Sequence, residues 1–430
     1  MARGRLNDVE PIESIEPVAG ADEDEAPDAE HPRRPVRALV SSVSAQTGAM
    51  MPAFLTGALA LQLRRDLGMS DSLLGAAVAF FFLVAAVASP HAGALTDHLG
   101  AQRSQRIANG LVAASLLGSA VLVYNYVTLL ALLAVGAAGL AIAGPGTKVM
   151  VAKGVPLNRH GVAFGIQAGA VPLASLLAGL TVPTIALPFG WRWAYVVVCA
   201  LPILSFVIAP PVGAAVRVAQ RAARRLADID YRPLIMLALA AAFGSAAATT
   251  LAAFFVSAAE ETGISEGLAG ALLSIGSALV VAGRIYAGLN ADRRGTDPLR
   301  SVAALMAFST LGYLLTASSS PYLMPIGALF ALGAGWSWSG LMVHAVVRHY
   351  PTAPGAATGM VSGGLNVGGV VGPLAFGLIV QHVSYPVGFI ATAASTLLGS
   401  IAAVAGRRRL EASSATAAAS PPVRSVFGEQ

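Results

Sequence analysis

From Arg37 onward the chain alternates apolar runs of about 20 residues with short polar joints, the length a helix needs to cross a bilayer. The runs cover 37–61, 73–95, 105–125, 128–151, 162–186, 193–212, 234–258, 267–289, 299–317, 322–346, 356–381 and 384–406. They predict an all-α membrane protein with about 12 transmembrane helices. Residues 1–36 are acidic, contain proline and are poor in apolar side chains, so a disordered tail is expected there. That stretch does not resemble a signal peptide, in which a short basic region is followed by a brief apolar core.

Composition narrows the classes. Hydrophobic residues make up 56% of the chain, charged residues only 11%, and the mean hydropathy is +0.70. A soluble domain carries about a quarter charged residues, so a soluble enzyme or nucleic-acid binder does not fit. Cys199 is the only cysteine, which excludes an intrachain disulfide and a cysteine-based metal site. No Ser/His/Asp set, paired carboxylates or metal ligands fall together within a span, so no catalytic residue, cofactor or metal is expected. A Gly-rich phosphate loop is also missing, which argues against ATP-driven transport.

The net charge of +5 hides two parts. Ten acidic residues (Asp8, Glu10, Glu13, Glu16, Asp22 to Glu25, Asp28, Glu30) and four arginines put the first 36 residues at −6, leaving +11 for the remainder. With the N-terminus in the cytoplasm, every Lys and Arg except Arg64, Arg65 and Arg192 falls on the inner side. Basic residues concentrate on the inside of membrane proteins. The excess is therefore a topology signal with both termini cytoplasmic, and nucleic acid is not an expected partner.

The chain is also a duplication. Gly93, Asp97 and Gly100 recur 195 residues later as Gly288, Asp292 and Gly295. The run G-V-A-F-G-I-Q-A-G from Gly161 recurs as G-A-A-T-G-M-V-S-G from Gly355, and Ala194-Tyr195 as Gly388-Phe389. Two pseudo-symmetric six-helix bundles are expected, 37–212 and 234–407, with a basic linker over 213–233 and a cytoplasmic tail over 408–430. Such a bundle pair typically places its solute site at midplane between the halves.

These residues resemble the major facilitator superfamily. Its signature joint, G-x-L-A-D-R-x-G-R-K, is matched by G-A-L-T-D-H-L-G-A-Q-R from Gly93 to Arg103 and by G-L-N-A-D-R-R-G from Gly288 to Gly295. The resemblance covers residues 37–407 and implies a secondary transporter in a bacterial cytoplasmic membrane, working as a monomer. The Pro/Gly-rich fourth and fifth helices, followed by G-W-R-W-A-Y, look like the cyanate and organic-anion branch. Where that branch often has Lys-Gln in helix five, this chain has Gln167-Ala168.

In the signature, Asp97 and Asp292 each end a helix near the start of another, at Gly355 and Gly161. A carboxylate is stabilised at a helix N-terminus by free N–H groups and the helix dipole, so both aspartates are expected to latch the halves together on the inside. Arg103 and Arg293 are their candidate ion-pair partners, and Arg284 a further gating residue. The alternative is that both aspartates merely end helices. The G-x-x-x-G-x-x-x-G spacings on helices five and eleven, with Pro172 and Gly372-Pro373, predict close backbone approach and local weakening there.

Polar groups in a span are costly and so mark a candidate pathway. Gln46, Gln167 and Asn366 are candidate solute ligands, against a plain role in helix–helix hydrogen bonding. Lys148 and His344 occupy matching places in helices four and ten, and either snorkelling or core packing is their alternative. Trp336 and Trp338 lie about 200° apart around a helix, so only one faces a cavity; Trp336 is the candidate. Asp97, Asp292, Glu260 and Glu261 all lie at span ends. A basic or neutral cavity fits an anionic or neutral small molecule, with protons as the candidate coupling ion. Export of drugs or neutral metabolites, and a ligand sensor on a transport fold, are the competing readings.

Overall fold

In hydrocarbon every backbone N–H and C=O must find its partner inside the protein, and each apolar run accordingly forms helix. The computed structural model describes residues 34–156, 159–212, 231–290, 297–350 and 354–419, without the side chains of Asp97, Gly161, 285–290, 354–356 and 413–419. The acidic tail to residue 33, most of the basic linker, the joint holding Asp292 and Arg293, and the carboxylate of Asp97 lie outside the described residues.

The rods are α1 (Pro35–Ala58, continued by Ala60–Leu67), α2 (Asp71–Leu99), α3 (Ala101–Leu122) and α4 (Tyr126–Gly154). Next come α5 (His160–Ala168, Ala170–Thr181, a π-helical turn Val182–Ala186 and Leu187–Phe189) and α6 (Trp191–Val198 and Ala200–Ile208). The second half supplies α7 (Tyr231–Glu261), α8 (Glu266–Asn290), α9 (Pro298–Thr316), α10 (Leu323–Gly335 and Trp338–His349), α11 (Pro354–His382) and α12 (Tyr385–Ala419). We call the face where α1 begins the near face and the opposite one the far face.

Ten of these rods are apolar enough to cross a membrane on composition alone; α1 and α3 are the two that are not. Several of their polar side chains bond to each other and to α6. Gln105 Nε2 donates to the Ser41 carbonyl (3.1 Å) and Ser205 Oγ (2.9 Å), and Asn109 Nδ2 to Ser205 Oγ (2.8 Å). All four residues are buried. Mutual satisfaction of this kind holds polar helices together where water is absent.

The G-W-R-W-A-Y run is structural. Trp191 Nε1 donates to Asp66 (2.7 Å), and Arg192 donates to the carbonyls of Ala120 and Val123 at the end of α3. Arg192 thereby satisfies carbonyls that a helix C-terminus leaves free.

Close packing follows a glycine stripe one residue away from the expected one on α11. A Cβ at Gly364, Gly368 or Gly372 would fall 2.1, 2.0 or 2.4 Å from the carbonyl oxygens of Ala238, Ala242 and Ala246 on α7. Small residues thus let the two backbones touch. The expected stripe differs: at Gly165, Gly359 and Gly363 a Cβ would meet no described atom within 4 Å, and at Gly169 it meets only its own helix. Both stripes have the right spacing, and only the position of α7 decides between them.

Between the halves the far face is tight. Gly57 abuts Ala253, Gly75 abuts the Pro373 carbonyl and Gly377, and Gly179 abuts Gly270. Ser274 Oγ donates to the Leu176 carbonyl (2.9 Å) and Ser277 Oγ to Ser175 Oγ (3.0 Å). Toward the near face, Gly93, Gly144, Gly165, Gly340 and Gly359 all look onto space free of described atoms. The seam between the halves is closed toward the far face.

Two stability outcomes follow. Gly368→Leu should abolish or strongly lower the thermal transition of the purified protein, because overpacking a filled contact costs about 1–3 kcal/mol or more, whereas Gly359→Ala should leave it in place. Equal melting of the two variants would contradict this packing. Asp297 caps α9 by accepting the Leu299 N–H (2.9 Å) and pairs with Arg407 of α12. Burial pulls its carboxyl upward, but Arg407 and the capping N–H groups outweigh that and hold it below the usual carboxylate value. The stabilisation is present above the unfolded pKa of about 3.9 and lost as pH falls through the lower folded value. Asp297→Asn should therefore lower the melting temperature at pH 7 and converge with the parent in strong acid.

Candidate solute site between the halves

Proline lacks an N–H and leaves the carbonyl four residues earlier without its helical partner. Pro172 does this to the carbonyl of Ala168, at the point where α5 is interrupted around Gly169. A second interruption lies in α10 at Trp336-Ser337. Arg284 of α8 reaches both. Its Nη1 donates to the Ala168 carbonyl in the other half, and its Nη2 donates to the Trp336 carbonyl and Ser339 Oγ, both at 2.5 Å.

The guanidinium thus sits at the C-terminal ends of two half-helices, His160–Ala168 and Leu323–Gly335. These ends carry the negative pole of the helix dipole, and broken transmembrane helices use them to hold cations. Among the described residues no carboxylate pairs with Arg284. Its Nε is buried and has no hydrogen-bond partner, and the same holds for the indole Nε1 of Trp336. The two unspent donors belong to residues joined by the bond from Arg284 to the Trp336 carbonyl, each of which touches the opposite half.

The aromatic ambiguity in α10 is resolved by the neighbours. Trp336 packs its ring against Phe54 of α1, with centroids 5.5 Å apart. Trp338 turns into the second half, against Gly244 and Met306. Trp336 is the seam residue and Trp338 a core residue.

The other candidates divide into two groups. Gln46 of α1 is half-buried and accepts from Thr147 Oγ1 at 3.5 Å, beside Lys148 on α4. Its neighbour Thr47 donates to the Ala170 carbonyl at 3.2 Å, which ties α1 to the same interruption in α5 that Arg284 reaches. Gln167, one residue before Ala168, is 8% exposed. Arg284 and Trp336 are thus in direct contact, while Gln46 and Gln167 each stand one residue from a group, Thr47 or Ala168, that meets the interruption of α5. Asn366 is half-buried on α11, and Lys148 and His344 are exposed on the near-face halves of α4 and α10; among the described contacts none joins these three to Arg284. Arg103 is exposed in the first turn of α3.

Sequence reasoning missed Ser339 and the carbonyls of Ala168 and Trp336, because backbone acceptors leave no trace in residue type. The one available signal was Pro172, whose position names the carbonyl it frees.

With this geometry in view, comparison with known proteins is informative. The family model described as the Major Facilitator Superfamily matches residues 39–354 and, a second time, residues 237–429. Among solved structures, a D-xylose-proton symporter is similar at 18% identity, with a TM-score of 0.71, over 85% of this chain and 96% of that one. The partially occluded inward-open form of the E. coli xylose transporter XylE is similar at 16% identity and TM-score 0.67, over 85% and 97% of the two chains. A bacterial homolog of the human lysosomal transporter Spinster, in an inward-facing and occupied conformation, matches at 13% identity and TM-score 0.68, over 88% and 97%. Twelve helical rods, a twofold sequence repeat and a family match that spans both halves lead to one assignment: the chain belongs to the Major Facilitator Superfamily.

Proposed function

We propose that this protein is a secondary active transporter that moves a small organic anion across the membrane by alternating access. The observation that carries the anion is Arg284: a guanidinium between the halves, held by carbonyls and a hydroxyl, with no described carboxylate beside it and an unspent Nε. An arginine fork suits a carboxylate, which it can meet with two parallel N–H donors. Trp336 Nε1 offers a third donor and its ring an apolar wall, while Gln46 and Gln167 supply neutral polar contacts nearby. Asn366, Lys148 and His344 belong to the approach rather than to this cluster.

In this reading the near face is the cytoplasmic one, in keeping with the distribution of Lys and Arg, and the membrane is the bacterial inner membrane. The halves 37–212 and 234–407 rock about the seam, whose far end is closed in the described state. An anion arriving at Arg284 competes with the Ala168 carbonyl and loosens the charged tie that Arg284 makes between the halves. Asp97 with Arg103, and Asp292 with Arg293, close the near face in the opposite state. A proton gradient supplies the energy.

Uptake of labelled small carboxylates into proteoliposomes, with and without a pH gradient, tests the reading directly. Arg284→Gln should lower uptake at least tenfold, and Arg284→Lys should recover only part, because an ammonium cannot form the fork. Transport confined to cations, or full uptake by Arg284→Gln, would overturn the anion assignment. Pro172→Ala gives an independent check. It restores an N–H that competes for the Ala168 carbonyl, so a several-fold loss of uptake is expected with little change in expression. Trp336→Phe should weaken solute affinity, whereas Trp338→Phe should lower thermal stability instead.

A further inference from the structure

The repeat also relates α1 to α7 at the far face. Gly57 of α1 abuts Ala253 of α7, 196 positions later, and a Cβ at Gly57 would fall 2.5 Å from the Ala253 Cα. Beyond this contact the same offset matches Leu61 with Ser257, Arg64 with Glu260 and Arg65 with Glu261. Each set is spaced i, i+3, i+4, which puts its three side chains on one face of its helix. Two repeat-related faces thus carry opposite charge, basic from the first half and acidic from the second.

The matched charges do not pair with each other. Arg64 turns to Asp71 at the start of α2, 2.7 Å away, and Arg65 Nη1 lies 3.9 Å from Glu266 at the start of α8. Glu260 and Glu261 make no ion pair among the described residues. Glu261 feels the charges of Asp71, Arg64 and Glu260 without bonding to any of them. Four carboxylates (Asp71, Glu260, Glu261 and Glu266) therefore share two guanidiniums. The two negative charges in excess stand side by side at the end of α7.

A cavity of about 400 Å³ separates the two faces and is bounded by all six matched residues, together with Met69. Small-molecule sites span about 300–1,000 Å³, whereas a single water takes up about 30 Å³. Leu61 and Met69 are buried and give this space an apolar lining. Ser257 is 1% exposed, and its hydroxyl has no partner. A helical hydroxyl commonly bonds back to the carbonyl four residues earlier, as Thr56 and Ser89 do here. Ser257 does not, so a buried polar group at the cavity is left without a partner beside two unpaired carboxylates.

We propose that this far-face cavity binds a small organic cation: a primary ammonium group on a compact apolar body. An ammonium carries three N–H donors and no acceptor. Glu260, Glu261 and the Ser257 hydroxyl present three acceptors to it from one helix face, and hydrogen bonds to an ionised partner are about twice as strong as neutral ones. The apolar body lies against Leu61 and Met69. An anion is disfavoured, because both guanidiniums already face carboxylates and the charge in excess is negative. Binding is non-covalent, and the cation touches both halves. The site shares no residue with the cluster around Arg284, so it lies beyond the solute reading and does not depend on it.

The test is a thermal-shift titration of the full chain in lipid nanodiscs at pH 7.5 and constant ionic strength, with 2-phenylethylamine as the probe. The melt itself reports that each variant is folded. The amine should raise the melting temperature saturably, at a half-saturating concentration at least tenfold below that of the uncharged isostere 2-phenylethanol. Glu260→Gln with Glu261→Gln should raise that concentration at least tenfold, and Ser257→Ala severalfold. Arg65→Gln removes positive charge from the opposite wall and should lower it severalfold. Arg284→Gln should leave the titration unchanged, so loss of carboxylate uptake and loss of amine binding are separate results. Equal binding by the alcohol, or an unaltered titration in the double glutamine variant, would overturn the proposal. Tighter binding of phenylalanine than of the amine would also overturn it, since the arginine wall would then be taking a carboxylate.

Discussion

The hydrocarbon core supplies no hydrogen-bond partners, and this constraint fixes more of the molecule than any single contact does. It forces each span into helix and confines irregular backbone to places where protein can reach it. The interruptions of α5 at Gly169 and of α10 at Trp336-Ser337 are met by the same guanidinium. Arg284 is therefore part of the fold's own bookkeeping of backbone groups as well as a candidate for solute binding. The two roles are compatible because an arginine has five N–H donors, and not all of them are spent.

The second constraint is the thickness of the interfaces. Where α7 meets α11, three glycines and three alanines bring the backbones into contact, and the second half gains a rigid pair of rods. The seams between the halves use isolated glycines at Gly57, Gly75 and Gly179, backed by single hydroxyls. Such seams hold few charges and little interlocking bulk. They suit surfaces that part and re-form, whereas a long stripe of interdigitated backbone suits one that does not.

Much of this was legible in the chain itself. Span positions follow from hydropathy, because bilayer thickness and helical rise leave one solution. The duplication follows from offsets between identical motifs. What was not legible depends on partners far apart in sequence: Arg284 meets carbonyls 116 and 52 residues away. The glycine stripe on helix eleven was placed one residue out, since spacing alone cannot tell Gly359-Gly363 from Gly364-Gly368. Trp336 and Trp338 could be set on opposite sides but not assigned to them.

One feature of the mid-depth tie bears on how such a chain can drift over generations. The acceptors of Arg284 in α5 and at Trp336 are main-chain oxygens, which no side-chain replacement removes. The contact therefore tolerates almost any residue at Ala168, and depends for its chemistry on Arg284 and for its vacancy on Pro172. In the transporter proposed above, side chains around it are free to change while this joint persists. On that reading, substrate preference can diversify without the motion having to be reinvented.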